Sequence, residues 1–337
     1  MRSRAVRALL ASDEPSIRWK VRVGVLGEDP TSLAIRRLQG VIRRSARVTA
    51  LLEGHGAAGA STYAKWGGAH WVLAALADLG HPAGDDRLVP LRDEVLETWL
   101  HPRYFREQTS ARHRADGVPR IEGRARRCAS QQGSALLSVM RLGLDDGRAA
   151  NLVERLLHWQ WPDGGWNCDV RPAASSSSVH ETLLPMRGLV AFAGAVGDVP
   201  GRGSAHQAAR EAARRAAEVF LTRRLLFSRT DGHLIDRNWA LLHYPAYWHY
   251  DVLCGLRGLG EAGLLGDPRC EVALDLLQAL RLPEDGWPAH ARYYATGMGT
   301  SGRDHVDWGG SSRKRMNEWV TADALAVLAA CPGQRPG

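Results

Sequence analysis

Apolar and polar positions follow one another along this chain with the period of an α-helix. Two amphipathic stretches with Arg and Glu on one face, residues 151–166 and 271–287, each end in a Gly-Trp turn. Stretches that are apolar nearly all round follow them, at 177–194 and, after a long loop, at 316–330. A helix that is apolar on every face must be buried between other helices, so this order predicts outer helices paired with inner ones. No useful length of the chain alternates with period two, and the pattern therefore predicts an all-α protein.

Weaker copies of the same unit extend the pattern. Residues 218–233 end in an Asp-Gly turn ahead of an apolar stretch that starts at Tyr247. The stretches that follow Trp66 and Cys128 also belong to the inner, apolar class. Helical hairpins that bury their faces only by stacking on their neighbours are typical of repeat architectures.

The ends of the chain are less regular. Residues 1–53 predict a few short helices, broken at Pro15 and around residues 27–30, that form an irregular segment packed on the main domain. A loop is expected at 54–61, and the main domain is expected to span 54–331. Residues 103–126 predict a long surface excursion, and whether it acts as a lid stays open. Residues 332–337 are expected to fray.

Composition changes the picture at three points. Trp (12) outnumbers Tyr (7) and Phe (4), which calls for a local reason such as the Gly-Trp turns. The net charge of +8 comes mostly from Arg scattered along helical stretches, which favours solvated helix faces over a nucleic-acid surface and leaves a phosphate-bearing substrate as the rival interpretation. Five dispersed cysteines argue against a disulfide framework. With no leader and no spanning stretch recognised, we expect a cytoplasmic protein without a transmembrane segment, and contact with a membrane surface stays open.

The turn Gln160-Trp-Pro-Asp-Gly-Gly-Trp166 fits the pattern Q-x-x-x-G-x-W. This pattern resembles the QW repeat of squalene–hopene and oxidosqualene cyclases, and the chain as a whole resembles the prenyltransferase and squalene-cyclase repeat superfamily. The resemblance implies an α/α toroid whose inner helices line a cavity, with their N-terminal ends and the preceding loops at its mouth. The turn residues themselves, Asp163 and the Trp side chains, are then structural staples.

The chain also departs from those families. The acidic D-x-D-D motif of squalene–hopene cyclases is missing, and the chain has the length of one barrel where those enzymes have two. The protein prenyltransferases that it resembles bind a metal through an Asp and a Cys two residues apart and a distant His. Asp251 and Cys254, three residues apart, match that arrangement loosely.

Polar residues collect in three clusters at equivalent positions of the repeat, just before or at the start of an inner helix: the first at 167–181, the second at 243–254 and the third at 304–319. Burying such residues unpaired would cost about 2–7 kcal/mol each. The candidate catalytic residues are Asp169, His180, Glu181, His249 and Asp251. The candidate substrate-binding residues are Trp239, His243, Tyr244, Tyr247, Trp248, Tyr250, Asp304, Trp308, Arg313 and Glu318. The candidate metal ligands are Cys168, His180, His249, Asp251 and Cys254.

Three functional hypotheses follow. The leading one is a terpene cyclase-like enzyme that acts on an isoprenoid-like or other largely apolar small molecule, by acid/base chemistry beside aromatic rings that stabilise a cation. The second is a zinc-dependent hydrolase or lyase on the same scaffold, since His, Cys and carboxylate are the usual zinc ligands; no compact metal-spacing motif supports it. The third is a non-catalytic barrel that recognises a polar head group.

Overall fold

A computed structural model describes residues 3–58, 61–104, 128–169, 171, 174–195, 203–283, 285–296 and 302–332. Thirteen α-helices lie within these residues: α1 Arg4–Leu10, α2 Pro15–Lys20, α3 Leu33–Arg43, α4 Ala46–Ala58, α5 Ala69–Leu79, α6 Val89–Leu100, α7 Ala129–Arg141, α8 Ala149–Trp159, α9 Val179–Gly194, α10 Gly203–Leu221, α11 Val252–Glu261, α12 Glu271–Ala279 and α13 Glu318–Ala330. Extended pairing among the described residues amounts to three isolated β-bridges, so the predicted all-α class is confirmed.

The chain divides into two compact units. The first unit combines Met1–Ala83 with Arg223–Gly337, and the second is Gly84–Thr222. The predicted boundary between residues 53 and 54 falls inside helix α4 of the first unit.

In the first unit, helix α13 lies at the centre. It packs against α1, α2, α11 and a π-helical turn at Val21–Val25. Helix α5 packs against α2 and α4. Both α5 and α13 are buried along most of their length, as the apolar pattern predicts.

The predicted loop at 54–61 is wrong over its first five residues, because α4 continues to Ala58. A contact at Gly54 explains why this glycine-rich stretch forms a helix. A Cβ atom at this position would lie 2.2 Å from the ring of His305, so the glycine lets that ring approach the helix backbone. The tertiary contact outweighs the low intrinsic helix propensity of glycine.

In the second unit, helix α9 is central and packs against α7, α8 and α10. The approach between α7 and α9 is close enough to exclude side chains. A Cβ on Gly133 would lie 2.3 Å from the backbone nitrogen of Pro185, and a Cβ on Gly188 would lie 2.6 Å from the carbonyl of Gly133. Small residues in the inner helices therefore allow backbone-to-backbone packing.

The turns that end in Trp166 and Trp287 share the hydrogen bond of the indole, although one turn lies in each unit. The Trp166 indole donates to the carbonyl of Leu156 at 3.0 Å, and the Trp287 indole donates to that of Leu277 at 2.6 Å, ten residues back in both cases. Both indoles are buried. Each therefore ties the outer helix to the turn that follows it.

A threonine then connects each turn to the following inner helix. The backbone N–H of Trp166 donates to Thr182 Oγ1 at 3.2 Å, and that of Trp287 donates to Thr321 Oγ1 at 2.8 Å. The threonines occupy the fourth position of α9 and α13, respectively. The third predicted copy differs, because residues 228–233 form a tight turn closed by a bridge between Phe227 and Leu234.

Candidate functional site

The loop that leads into α11 is organised by Asp251. Its side chain caps the helix by accepting from the backbone N–H of Cys254 at 2.8 Å, and it also accepts from the backbone N–H of His243 at 2.9 Å. The Nδ1 atom of the His243 ring lies 2.8 Å from the same carboxylate, and both side chains are fully buried. One carboxylate thus fixes both ends of the loop.

The protonation of this pair follows from its surroundings. Burial opposes a charge on the ring, but the Asp251 carboxylate and the nearby carbonyls of Leu241 and Ala246 raise the pKa of His243. Burial opposes ionisation of Asp251 as well, yet His243 and the Cys254 N–H lower the pKa of this carboxyl. Each member of the pair thus favours the charged form of the other, against the effect of burial. Cys254 completes a group with ligand atoms within 4.8 Å of one another, in which His243 takes the place expected for His249.

A second buried carboxyl, Asp304, lies among aromatic side chains of the first unit. Tyr247 donates its hydroxyl hydrogen to Asp304, and the Trp308 indole donates to the same oxygen at 2.7 Å. The residue is 5% exposed, and burial raises its pKa against the effect of these donors. The predicted second and third clusters thus meet in the first unit, whereas the first cluster lies in the second unit.

Aromatic rings surround the contact between Tyr247 and Asp304. Trp66 stacks on Tyr247 with ring centres 3.8 Å apart and planes 6° apart. Trp71 meets both rings edge-on, at 4.8 Å from Trp66 and 5.5 Å from Tyr247. The two indoles and the phenol cover this part of the site with apolar surface.

His249 lies in a second stack beside the first. Its ring is sandwiched between Trp248 at 4.0 Å and Tyr293 at 3.6 Å. The Lys65 ammonium lies 5.4 Å from the centre of the Trp66 ring and 5.1 Å from that of Trp248. The predicted site residues Tyr247, Trp248 and His249 are thus brought close together, with rings that the sequence did not assign to the site.

Tyr244 connects the aromatic residues to a buried cluster of charges. Its ring stacks on Trp319 at 5.0 Å and meets Trp308 edge-on at 5.5 Å, and its hydroxyl donates to Asp78 at 2.6 Å. Lys20 and Arg257 each bridge two carboxylates, at distances between 2.6 and 3.0 Å, and the four members are Lys20, Asp78, Arg257 and Asp323. Burial opposes ionisation of Asp78, but the two cations hold its pKa well below the usual range.

The sequence offered a signal for the residues that it missed. Lys20, Asp78, Arg257 and Asp323 are charges within otherwise apolar helical faces, a pattern that indicates burial with a partner. Trp66 precedes the inner helix α5, as Trp166 and Trp287 precede α9 and α13. Tyr293 carried no comparable signal.

Other predicted substrate-binding residues take different positions. Trp239 and Tyr250 pack together in the core, and the Tyr250 hydroxyl donates to the carbonyl of Leu225 at 3.0 Å. Arg313 is exposed. Glu318 accepts from the Ser12 hydroxyl at 2.9 Å and lines an open groove of about 860 Å³. That groove is also lined by Asp13, Glu14, Arg44, Arg47 and Asp307.

In the second unit, Glu181 meets two cysteines. Its carboxylate accepts from the backbone N–H and the hydroxyl of Ser130 at 3.1 and 3.0 Å. The ligand atoms of Cys128, Cys168 and Glu181 all lie within 4.8 Å of one another. The neighbouring Cys128 thiol, burial and the Glu181 carboxylate raise the pKa of Cys168, and burial raises the pKa of Glu181.

The remaining predicted residues of this cluster lie apart from that group. Asp169 forms a local turn in which the exposed Arg171 binds its carboxylate at 2.6 Å. His180 is half-buried at the start of α9 and contributes no ligand atom to the group. The third ligand atom comes instead from Cys128, which is not among the predicted site residues.

Among the described residues, no helix is both long enough and apolar enough to cross a lipid bilayer. The expected lid at 103–126 falls almost wholly outside the described residues. No protein-family model matches the chain, and neither a curated protein nor a solved structure matches it.

Proposed function

We propose that this protein is a terpene cyclase-like enzyme with an α/α toroid fold, and that Asp304 protonates an isoprenoid-like or other largely apolar substrate. The observation that carries the proposal is a buried carboxyl group with a raised pKa, bonded by Tyr247 and Trp308 and surrounded by aromatic rings. An acid that protonates a carbon–carbon double bond requires a raised pKa and an apolar environment.

The two donors to Asp304 have a defined part in this chemistry. Burial raises the pKa of Asp304 and so favours the protonated form of this carboxyl group before reaction. When the proton passes to the alkene carbon, a C–H bond forms at the expense of the π bond, and a carboxylate and a carbocation result. The Tyr247 hydroxyl and the Trp308 indole N–H then stabilise the carboxylate, because hydrogen bonds to an ionised acceptor are stronger than those to a neutral one.

The aromatic residues stabilise the carbocation that this step forms. Ring faces attract cations through their quadrupole, with about 0.5–2 kcal/mol per contact. In this proposal the faces come from Trp66, which stacks on the Tyr247 ring next to the acid, and from Trp71, which meets both rings edge-on. Asp251, in contrast, already caps a helix and pairs with His243, so it serves to hold the loop that carries Tyr247 and His249.

The test compares the wild-type chain with Asp304→Asn and Tyr247→Phe in reactions with a panel of acyclic polyprenes and their diphosphates, with products resolved by gas chromatography and mass spectrometry. We expect Asp304→Asn to lower turnover by about 100-fold or more, since general acid catalysis contributes that much. Tyr247→Phe should have a smaller effect. Activity should fall as the pH rises through the raised pKa of Asp304, because the acid then loses its proton.

Asp307→Asn is the matched control, since Asp307 is exposed and lies three residues further along the same loop. Its turnover should equal that of the wild type. Full turnover in Asp304→Asn would reject this residue as the acid. Binding of a polyprene without any product, at equal affinity in wild type and Asp304→Asn, would instead show a non-catalytic binding protein.

A further inference from the structure

Cys128, Cys168 and Glu181 reach one point from three separate segments of the second unit. Cys128 occupies the N-cap position of α7, Glu181 lies in the first turn of α9, and Cys168 follows the Trp166 turn. Their ligand atoms lie within 4.8 Å of one another. Two thiols and a carboxyl repel one another once deprotonated, and a divalent cation between them removes that repulsion.

The group is held in place by contacts that lie outside it. Ser130 binds both oxygens of the Glu181 carboxylate, which also accepts from the Ala129 backbone N–H and from the Cys168 thiol. Asn167, next to Cys168, donates to the carbonyl of Ser176 at 2.7 Å and accepts from the backbone N–H of Asp169 at 2.8 Å. Hydrogen bonds that orient the ligating groups are the usual surroundings of a metal site.

We propose that Cys128, Cys168 and Glu181 form a zinc site in the second unit. Two thiolates and one carboxylate suit Zn²⁺, which accepts sulfur and oxygen ligands alike, whereas Mg²⁺ and Ca²⁺ take oxygen ligands and Cu⁺ takes soft sulfur ligands. Three protein ligands leave the fourth tetrahedral position for water or a small anion. The positive ends of α7 and α9 favour the anionic forms of Cys128 and Glu181, respectively.

This site is independent of the proposed cyclase chemistry. All its residues belong to the second unit, whereas Asp304 and its aromatic neighbours belong to the first. Either proposal can therefore fail without the other. The group of His243, Asp251 and Cys254 in the first unit is the competing location for a metal.

The test titrates the reduced, chelator-treated full chain with zinc chloride against a chromophoric chelator. We expect one tightly bound zinc per wild-type chain. Cys128→Ser and Cys168→Ser should each weaken the affinity by more than the roughly 10- to 100-fold that loss of an outer contact costs. Ser130→Ala, which removes one such contact to Glu181, should weaken it by about 10-fold.

Two matched cysteine variants locate the metal. Cys254→Ser removes the thiol of the competing group, and Cys270→Ser removes a buried thiol that belongs to neither group. Both should bind zinc as the wild type does. Loss of zinc in Cys254→Ser with retention in Cys128→Ser would overturn the proposal, and so would a wild-type chain that binds no zinc.

A second measurement uses only the wild-type chain, so its result does not depend on whether the variants fold. Replacement of zinc by cobalt should give the visible bands of a tetrahedral ion together with thiolate charge-transfer absorption in the wild-type chain. A cobalt spectrum without thiolate bands would reject cysteine ligation. A disulfide between Cys128 and Cys168 that persists under reducing conditions would reject it as well.

Discussion

The Trp166 turn and the Trp287 turn have one hydrogen-bond pattern but different residues at their tightest point. The second unit has Gly164 there, with φ at 100°, and the first unit has Asp285 in the same place, with φ at 76°. A Cβ on Gly164 would lie 2.1 Å from the carbonyl of Arg215, so only glycine fits. Asp285 accepts from the backbone N–H of Ala5 at 2.7 Å. The shared pattern therefore comes from the Trp and the Thr, and neighbouring helices decide which residue the tight position accepts.

The largest effect in both turns should follow removal of the indole. Trp166→Ala and Trp287→Ala should each lower the free energy of unfolding by about 3–5 kcal/mol, because a buried ring is replaced by a cavity. Hydrogen exchange resolved by peptide should show the loss of protection first in the helices that flank the altered turn. A loss below 1 kcal/mol in either variant would show that this Trp does not staple its turn.

Substitution of Gly164 and of Asp285, the residues with positive φ, should lower the free energy of unfolding by different amounts in the two turns. Gly164→Ala should cost about 3 kcal/mol, because it combines a positive φ with a contact that the Arg215 backbone cannot relieve. Asp285→Ala should cost about 1 kcal/mol, the value of the hydrogen bonds that it removes, since the backbone there already accommodates a Cβ. Denaturant titration of both variants checks the order, and equal losses would contradict the structural difference.

The threonines should give a smaller effect than Gly164→Ala. Thr182→Val and Thr321→Val leave a buried backbone N–H without its acceptor, at a cost of about 1–2 kcal/mol each. Thr321→Val should be the more harmful, because its bond to the Trp287 N–H is 2.8 Å long against 3.2 Å for the bond from Trp166 to Thr182. Replacement of either Thr by Ser keeps the hydroxyl and serves as the control. A reversed order, measured by denaturant titration, would show that bond length does not govern the difference.

Local pattern predicted the helices well, because helix formation depends on neighbours within a few residues. The apolar period indicated that α5, α11 and α13 are buried, and Asp251 was placed at the start of an inner helix, which it caps. Gly54 shows the limit of such reasoning, since its helix depends on the ring of His305, far away in the chain.

The candidate sites depend on contacts between residues far apart, which spacing alone does not reveal. Asp304 lies 57 residues from Tyr247, and neither position forms a recognisable motif with the other. Cys128 and Cys168 are similarly distant, and dispersed cysteines are more often small apolar residues than ligands. The sequence could name Asp304, Tyr247 and Cys168 as candidates, but it could not pair them or identify Cys128.

The four charges of Lys20, Asp78, Arg257 and Asp323 come from four helical segments that are widely separated along the chain. If one of those segments is missing or shifted, at least one ion is left in the interior without its counter-ion, at a cost of several kcal/mol. The cluster can therefore penalise a wrongly assembled core without helping to start assembly, since every contact in it closes a long loop. All four ion pairs form only when the four helices pack in their native positions, so the cluster favours the native arrangement over misfolded ones.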